Sequence, residues 1–230
     1  YRYGQDFIDA MADECDLSRP GIVHRLDKDT SGVMVIALNA RAHANLSDQF
    51  QNTEIEKYYY AFCEGIFPVH EGDIECMLAR DKNDRKLFAP IKEKQYIIQG
   101  GLNQKRTEEI LNEVYKDPKY KIGGTIDRHT EGKYSKSHYE VVKQLPQAAL
   151  VKVRIFTGRT HQIRVHMKSI GHCVIGDVLY NNHLNRFPGQ SLMLHSAILE
   201  IAHPTTGEIM HFEAPLPQRF ANLEQLLRNS

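Results

Sequence analysis

The sequence has no excess of charge of either sign: Lys plus Arg and Asp plus Glu each number 29 in 230 residues. Net charge therefore gives no hint of a polyanionic partner, and any nucleic-acid face has to be local. There is no CxxC pair; Cys15, Cys63, Cys76 and Cys173 are scattered, which argues against a structural zinc site or a dense disulfide framework and fits a reducing cytosol. No run approaches the roughly 20 apolar residues of a membrane span, and no charged n-region with an apolar h-region opens the chain. A soluble, cytoplasmic protein without membrane contact is expected. Internal repeats, low-complexity tracts and metal or nucleotide motifs are missing as well, so no cofactor is expected. A hydrolase built on Ser31, a histidine and an aspartate would lack its GxSxG elbow. The chain begins at Tyr1, not Met, and is treated as a fragment.

What is present is enough for a core. With 41% hydrophobic residues, the chain suits one domain over 1–230, with a polar segment at about 91–131 inserted into it. Phe7, Ile8 and Met11 suggest a short helix, closed by the loop at Ser18-Arg19-Pro20-Gly21. The apolar run Gly32 to Leu38 reads as a strand buried on both faces. A helix from Ala40 to Phe50 follows, then strands at Lys57 to Cys63, Ile74 to Leu78, Ser137 to Val142, Leu150 to Phe156, Leu192 to Ile201 and Glu208 to Phe212. Helices are expected from about Thr160 to Ile170 and from Pro217 to Leu227. Many short strands with few, unevenly placed helices indicate an α+β fold on a mixed or antiparallel sheet.

Three segments carry possible chemistry. Between Val141 and Gly176 there are six Lys or Arg residues, among them Arg159, Arg164 and Lys168, with His161, His166 and His172 and no acid. Such a cluster attracts phosphates, or is a solvated surface paired with acids elsewhere. Within it, Ile163, Met167 and Ile170 would face a core, while His161, Arg164 and Lys168 share another helical stripe, and Gly158 and Thr160 would leave backbone N–H groups free for an anion. His161 and His166 are five apart, the wrong spacing for zinc ligands on one helical face. Asp27 follows Leu26 on a polar turn. That is the usual place of a turn former, but a carboxylate there would be partly desolvated, and Arg164 is suited to bind it through two parallel hydrogen bonds. In Lys57-Tyr58-Tyr59-Tyr60-Ala61, alternation sets Tyr58 and Tyr60 on one sheet face and Tyr59 on the other.

Taken together, His24-Arg25-Leu26-Asp27-Lys28-Asp29-Thr30-Ser31-Gly32, Lys57-Tyr58-Tyr59-Tyr60-Ala61 and Thr157-Gly158-Arg159-Thr160-His161-Gln162-Ile163-Arg164-Val165-His166 resemble the RluA family of RNA pseudouridine synthases in order and spacing. Gly176-Asp177-Val178-Leu179-Tyr180, Leu194-His195-Ser196 and His203-Pro204-Thr205-Thr206-Gly207 look like further landmarks. The resemblance covers about Pro20 to Pro90 and Gly132 to Pro215. It implies a long, mainly antiparallel mixed sheet around an RNA cleft, Asp27 as catalytic aspartate, Tyr59 as active-site tyrosine and Arg164 as the aspartate's partner. His24, Arg25, Arg159, His161 and Lys168 would then contact RNA. The implied reaction turns a uridine of ribosomal RNA, or alternatively transfer RNA, into pseudouridine, with RNA as sole partner of a monomer. A protein of this fold that binds RNA without catalysis is the other class. The family's Lys-Pro strand is absent, Ser196 stands where Ala is usual, and the 91–131 segment is longer than most members carry.

Overall fold

The computed structural model describes residues 20–52, 55–81, 83–99, 132–181 and 186–228, with backbone alone over 92–99. The helix expected around Phe7 lies outside these residues, as does the 100–131 part of the expected insertion.

In chain order the elements are β1 (Ser31–Gly32), α1 (Ala40–Asn52), β2 (Glu56–Glu64), β3 (Glu71–Arg80), β4 (Phe88–Gln99), β5 (Lys133–Gln144), β6 (Ala148–Ile155), α2 (Gln162–Ser169), β7 (Leu194–Ala202), β8 (Ile209–Glu213) and α3 (Gln218–Arg228). The strands form one sheet in the order β1-β7-β2-β6-β5-β3-β4, with β8 also on β7. Among the described strands, only β1 with β7 is parallel, and every other pairing is antiparallel. This is the α+β fold with a mixed, mainly antiparallel sheet. Strand β4 extends to Gln99 against Gly72 of β3, so residues 91–99, expected to begin the insertion, prolong the sheet.

Alternation along β2 sorts the core. Tyr59, Ala61 and Cys63 join Val151, Val153, Ile163 and Met167 beneath α2. Tyr60 and Phe62 face the opposite side, where Phe220, Leu223 and Leu227 of α3 pack. Each fully buried side chain of this size contributes about 1.5–3 kcal/mol. Helix α1 starts where the Asn39 side chain accepts the Ala42 N–H at 2.9 Å. Its buried Gln49 grips the end of β7, donating to the Ala202 carbonyl and accepting the Ala202 N–H, each at 2.9 Å.

The strand expected over Gly32 to Leu38 is cut to two residues. Val33 still donates to the Ser196 carbonyl at 2.8 Å, but Ala37 then bonds Gly21 and Ile36 bridges Ile22. The segment therefore leaves β7 and runs along the sheet margin, and Met34, Ile36 and Leu38 are 42%, 50% and 51% exposed. Their β-branched, apolar composition matched a two-faced strand, whereas only Val33, Val35 and Ala37 pack inward, with Leu199 and Ile201.

Gly32 shows how tightly β1 is held. Its φ is +115°, and a Cβ there would fall 2.0 Å from the Ser196 carbonyl oxygen. Gly32→Ala is expected to cost at least about 3 kcal/mol through strain and clash with backbone. Urea unfolding would check this; a midpoint equal to wild type would show that β1 does not lock onto β7.

His166 is fully buried in α2 and bonded to hydroxyls: Nδ1 to Ser137 and Nε2 to Ser135, each at 2.9 Å. Ser135 gives its own proton to the Cys76 carbonyl at 2.8 Å, so Nε2–H donates to Ser135 and Nδ1 accepts from Ser137. Burial pulls the imidazole pKa down to about 3. The unfolded chain takes up this proton near 6.5 and the fold refuses it until about 3. Stability should therefore fall as pH drops through that window, by up to about 1.4 kcal/mol per pH unit. In urea titrations from pH 7 to pH 4, His166→Gln should start lower and lose stability less steeply; equal slopes would refute this.

Candidate active site

The turn that presents Asp27 is tied at both ends. Leu26 packs on the core beneath α2, and the Thr30 N–H closes the turn onto the Asp27 carbonyl at 3.0 Å. Beyond it, Arg219 donates to the Ser31 hydroxyl at 2.6 Å, Ser31 lies 2.8 Å from His195 Nδ1, and His195 Nε2 lies 3.1 Å from the Ala214 carbonyl. The protons run one way, from Arg219 to Ser31 to His195 to Ala214. The Ser31–His195 pair thus ties the turn to β7 and to the segment of Ala214. Neither residue lines the cavity that Asp27 enters.

That cavity, about 410 Å³, is walled by Asp27, Tyr59 and Arg164 together, a size suited to a small ligand or an extruded nucleoside. Arg164 Nη1 donates to Asp27 Oδ2 at 3.1 Å. The two parallel bonds expected between this pair go elsewhere: Nε and Nη2 donate to Asp177 Oδ2 and Oδ1 at 2.7 and 2.8 Å. Asp177 Oδ1 also accepts the Leu179 and Tyr180 N–H groups at 3.0 and 3.1 Å. Asp177 is buried, in the loop after α2. Sequence reasoning marked it as a landmark but not as this partner, because 13 residues and a turn separate the two. Burial opposes the charge of Arg164, but the hydrogen bonds to Asp177 and Asp27 outweigh it and raise its pKa. Arg164 is therefore a fixed cation inside the protein, not part of a solvent-facing stripe.

Tyr59 is buried opposite Ser196 in the β2–β7 register. Burial raises its phenol pKa, the Ser196 hydroxyl hydrogen bond works the other way, and the negative charge of Asp27 raises it further. The phenol is thus protonated at neutral pH. His161, at the N-cap of α2, has φ 56° and ψ 20°, and among the described residues it alone of the non-glycines has positive φ. Such strain persists where surroundings enforce it. Here Nδ1 is 2.9 Å from the Tyr180 hydroxyl, and that hydroxyl accepts the Phe88 N–H at 2.9 Å. The Tyr180 proton is left for Nδ1, and Nε2, 4.0 Å from Asp27 Oδ1, faces the carboxylate.

His24, Arg25 and Arg159 also line the cavity. His24 is committed to structure: its ring stacks on Phe50 at 4.4 Å, and Nε2 accepts the Val35 N–H at 2.9 Å. Burial and the charge of Lys57 lower its pKa to about 4. Lys168 is not in the wall; it lies over the Tyr180 ring at 5.6 Å. Between Gly158 and Thr160, whose N–H groups were expected to be free for an anion, the Arg159 N–H donates to the Gln162 side chain at 3.0 Å. Much of the basic window is paired after all: Arg154 with Glu56 at 2.8 Å, Lys143 with Glu224, Arg164 as described. The wall also holds polar residues not expected as site residues, among them Thr30 and Lys57. The Thr30 hydroxyl oxygen is buried with no partner among the described residues.

A family model described as RNA pseudouridylate synthase matches residues 7–169. The chain is 36% identical over 213 residues to Uncharacterized RNA pseudouridine synthase YlyB of Bacillus subtilis (strain 168), covering 92% of this chain and 57% of that protein. It is 34% identical over 218 residues to Ribosomal large subunit pseudouridine synthase D of Zymomonas mobilis subsp. mobilis, again 92% of this chain and 57% of the relative. The chain thus spans somewhat over half the length of these relatives. Among solved structures, Human RNA Pseudouridylate Synthase Domain Containing 1 is similar in fold, with TM-score 0.62 and 24% identity over 90% of this chain and 80% of that one. The match over the turn of Asp27, the strand of Tyr59 and the helix of Arg164 settles the kinship: the chain belongs to the RluA family of RNA pseudouridine synthases.

Proposed function

We propose that this chain isomerises uridine in RNA to pseudouridine, with ribosomal RNA as its target and Asp27 as the catalytic carboxylate. The observation that carries the reading is the convergence of Asp27, Tyr59 and Arg164 on one cavity, with Arg164 bonded to Asp27 at 3.1 Å. Breaking C1'–N1 leaves the electron pair on uracil and a deficiency at C1'. Asp27 relieves it by adding to C1' or by taking the 2' proton. Uracil turns in place and C5 bonds to C1' as the ester bond to Asp27 breaks or the 2' proton returns; C5 then loses its proton and N1 takes one up, so product and substrate are isomers and no redox partner enters the balance. Reaching C1' requires the nucleotide to leave its stack, and Tyr59 packs against the extruded ring. A protonated phenol suits that role; it takes the C5 proton only by passing its own to the carboxylate of Asp27. Arg25, exposed at the cavity rim, fills the gap in the RNA.

Ribosomal RNA is favoured over transfer RNA because relatives of this chain carry the name Ribosomal large subunit pseudouridine synthase D. Chemical mapping of pseudouridine in ribosomal and transfer RNA, from cells with and without the protein, tests both parts. A ribosomal site that disappears supports the reading, a transfer RNA site moves the target, and an unchanged map leaves a protein that only binds RNA.

A further inference from the structure

Lys57 is a charged wall residue for which the chemistry above has no use. It is 6% exposed and sits on β2 two residues before Tyr59, on the same face and in the same cavity. Its ammonium lies 5.7 Å from the centroid of the Phe50 ring, and a Cβ on Gly158 would be 3.7 Å from Nζ. Nζ is thus held between α1 and the loop that leads into α2. Arg154, Lys136, Lys143 and Arg164 all have carboxylate partners, whereas no described carboxylate pairs with Lys57. Burial, and then the charge of Arg159, pull its pKa down to about 8. A buried ammonium without a counter-charge costs several kcal/mol. The cavity wall therefore holds Lys57, Arg159 and the neutral His24 in addition to the Asp27–Arg164 pair. A wall ammonium left without a carboxylate fits a ligand that brings its own anionic group to the cavity.

We propose that Lys57, with Arg159, binds a backbone phosphate of the RNA next to the reacting nucleoside. The inference rests on RNA being the substrate, as argued above. Residues two apart on a strand are about 7 Å apart, the scale of one nucleotide, so a phosphate on Lys57 sets the register in which a sugar reaches Asp27 beside Tyr59. A compact ammonium serves here as a point charge for a phosphate oxygen.

The test uses the whole chain and a fluorescent five-residue oligouridylate, read by anisotropy over a salt series. Lys57→Met is expected to weaken binding about 10- to 100-fold and to flatten the logarithmic salt slope by about 0.7, one phosphate contact. Its melting temperature should hold or rise, because an uncompensated charge has been removed; Lys57→Arg should keep the slope. A single neutral methylphosphonate, moved along the probe, should reproduce the loss at one position in wild type and add nothing there in Lys57→Met. Equal affinity and slope in wild type and Lys57→Met, or a uniform loss at every methylphosphonate position, would overturn the proposal. The scan on wild type alone decides if Lys57→Met does not fold. Pseudouridine formation enters none of these readouts, so a chain that binds through Lys57 and forms no pseudouridine would sink the catalytic reading and leave this site standing.

Discussion

Asp27→Asn is expected to abolish pseudouridine formation, lowering the single-turnover rate on the order of 10⁴-fold or more, while RNA affinity stays within a few fold of wild type. Asn keeps the shape of the side chain and an oxygen that can accept from Arg164 Nη1, the bond seen at 3.1 Å. It can neither add to C1' nor accept a proton from the sugar. Stability should hardly change, because Arg164 keeps its two bonds to Asp177 and one buried cation still faces one buried anion. Three readouts therefore separate: rate lost, binding kept, melting temperature kept. Residual activity above about 1% of wild type would move the chemistry off Asp27. A variant that is inactive because it no longer binds RNA would instead make Asp27 a binding residue.

The three residues that meet were legible through the family resemblance, which rests on three short, dense runs; read alone, the turn of Asp27 and the row of tyrosines favour structural roles. Alternation placed Tyr59 opposite Tyr58 and Tyr60, and the burial along β2 follows it. The α+β class was legible in the residues themselves, since most strands lie within a few residues of their apolar runs. What escaped was set by contacts distant in sequence. The run from Gly32 to Leu38 has the composition of a central strand, yet β7 takes only Ser31 and Gly32 as partners, and no local property of those residues encodes where pairing stops. Arg164 reads as a surface cation by helical spacing. It is buried where Asp177, on a loop that no periodicity describes, takes the Nε–Nη2 edge of its guanidinium. Lys57 was read as the first residue of an aromatic strand, and its lack of a counter-charge exists only in three dimensions.

The second large effect is expected at Asp177. Asp177→Ala strips Arg164 of two of its three carboxylate bonds and deprives the Leu179 and Tyr180 N–H groups of their acceptor. Leaving a buried guanidinium half-paired should cost about 3–5 kcal/mol. Arg164→Met should cost a similar amount, because Asp177 is then the uncompensated charge. The informative protein is the double variant Arg164→Met with Asp177→Leu. Replacing both members of a buried ion pair by apolar groups is often neutral, so urea unfolding should show most of the stability restored, less what the two turn N–H groups lose. Activity should not return with it, because Asp27 has lost the cation that orients it. Stability and rate thus part company: the two substitutions offset each other in folding, while in rate the double variant matches Arg164→Met alone. If the double variant recovered the rate along with the stability, Arg164 would be a structural strut and Asp27 would need no arginine at all.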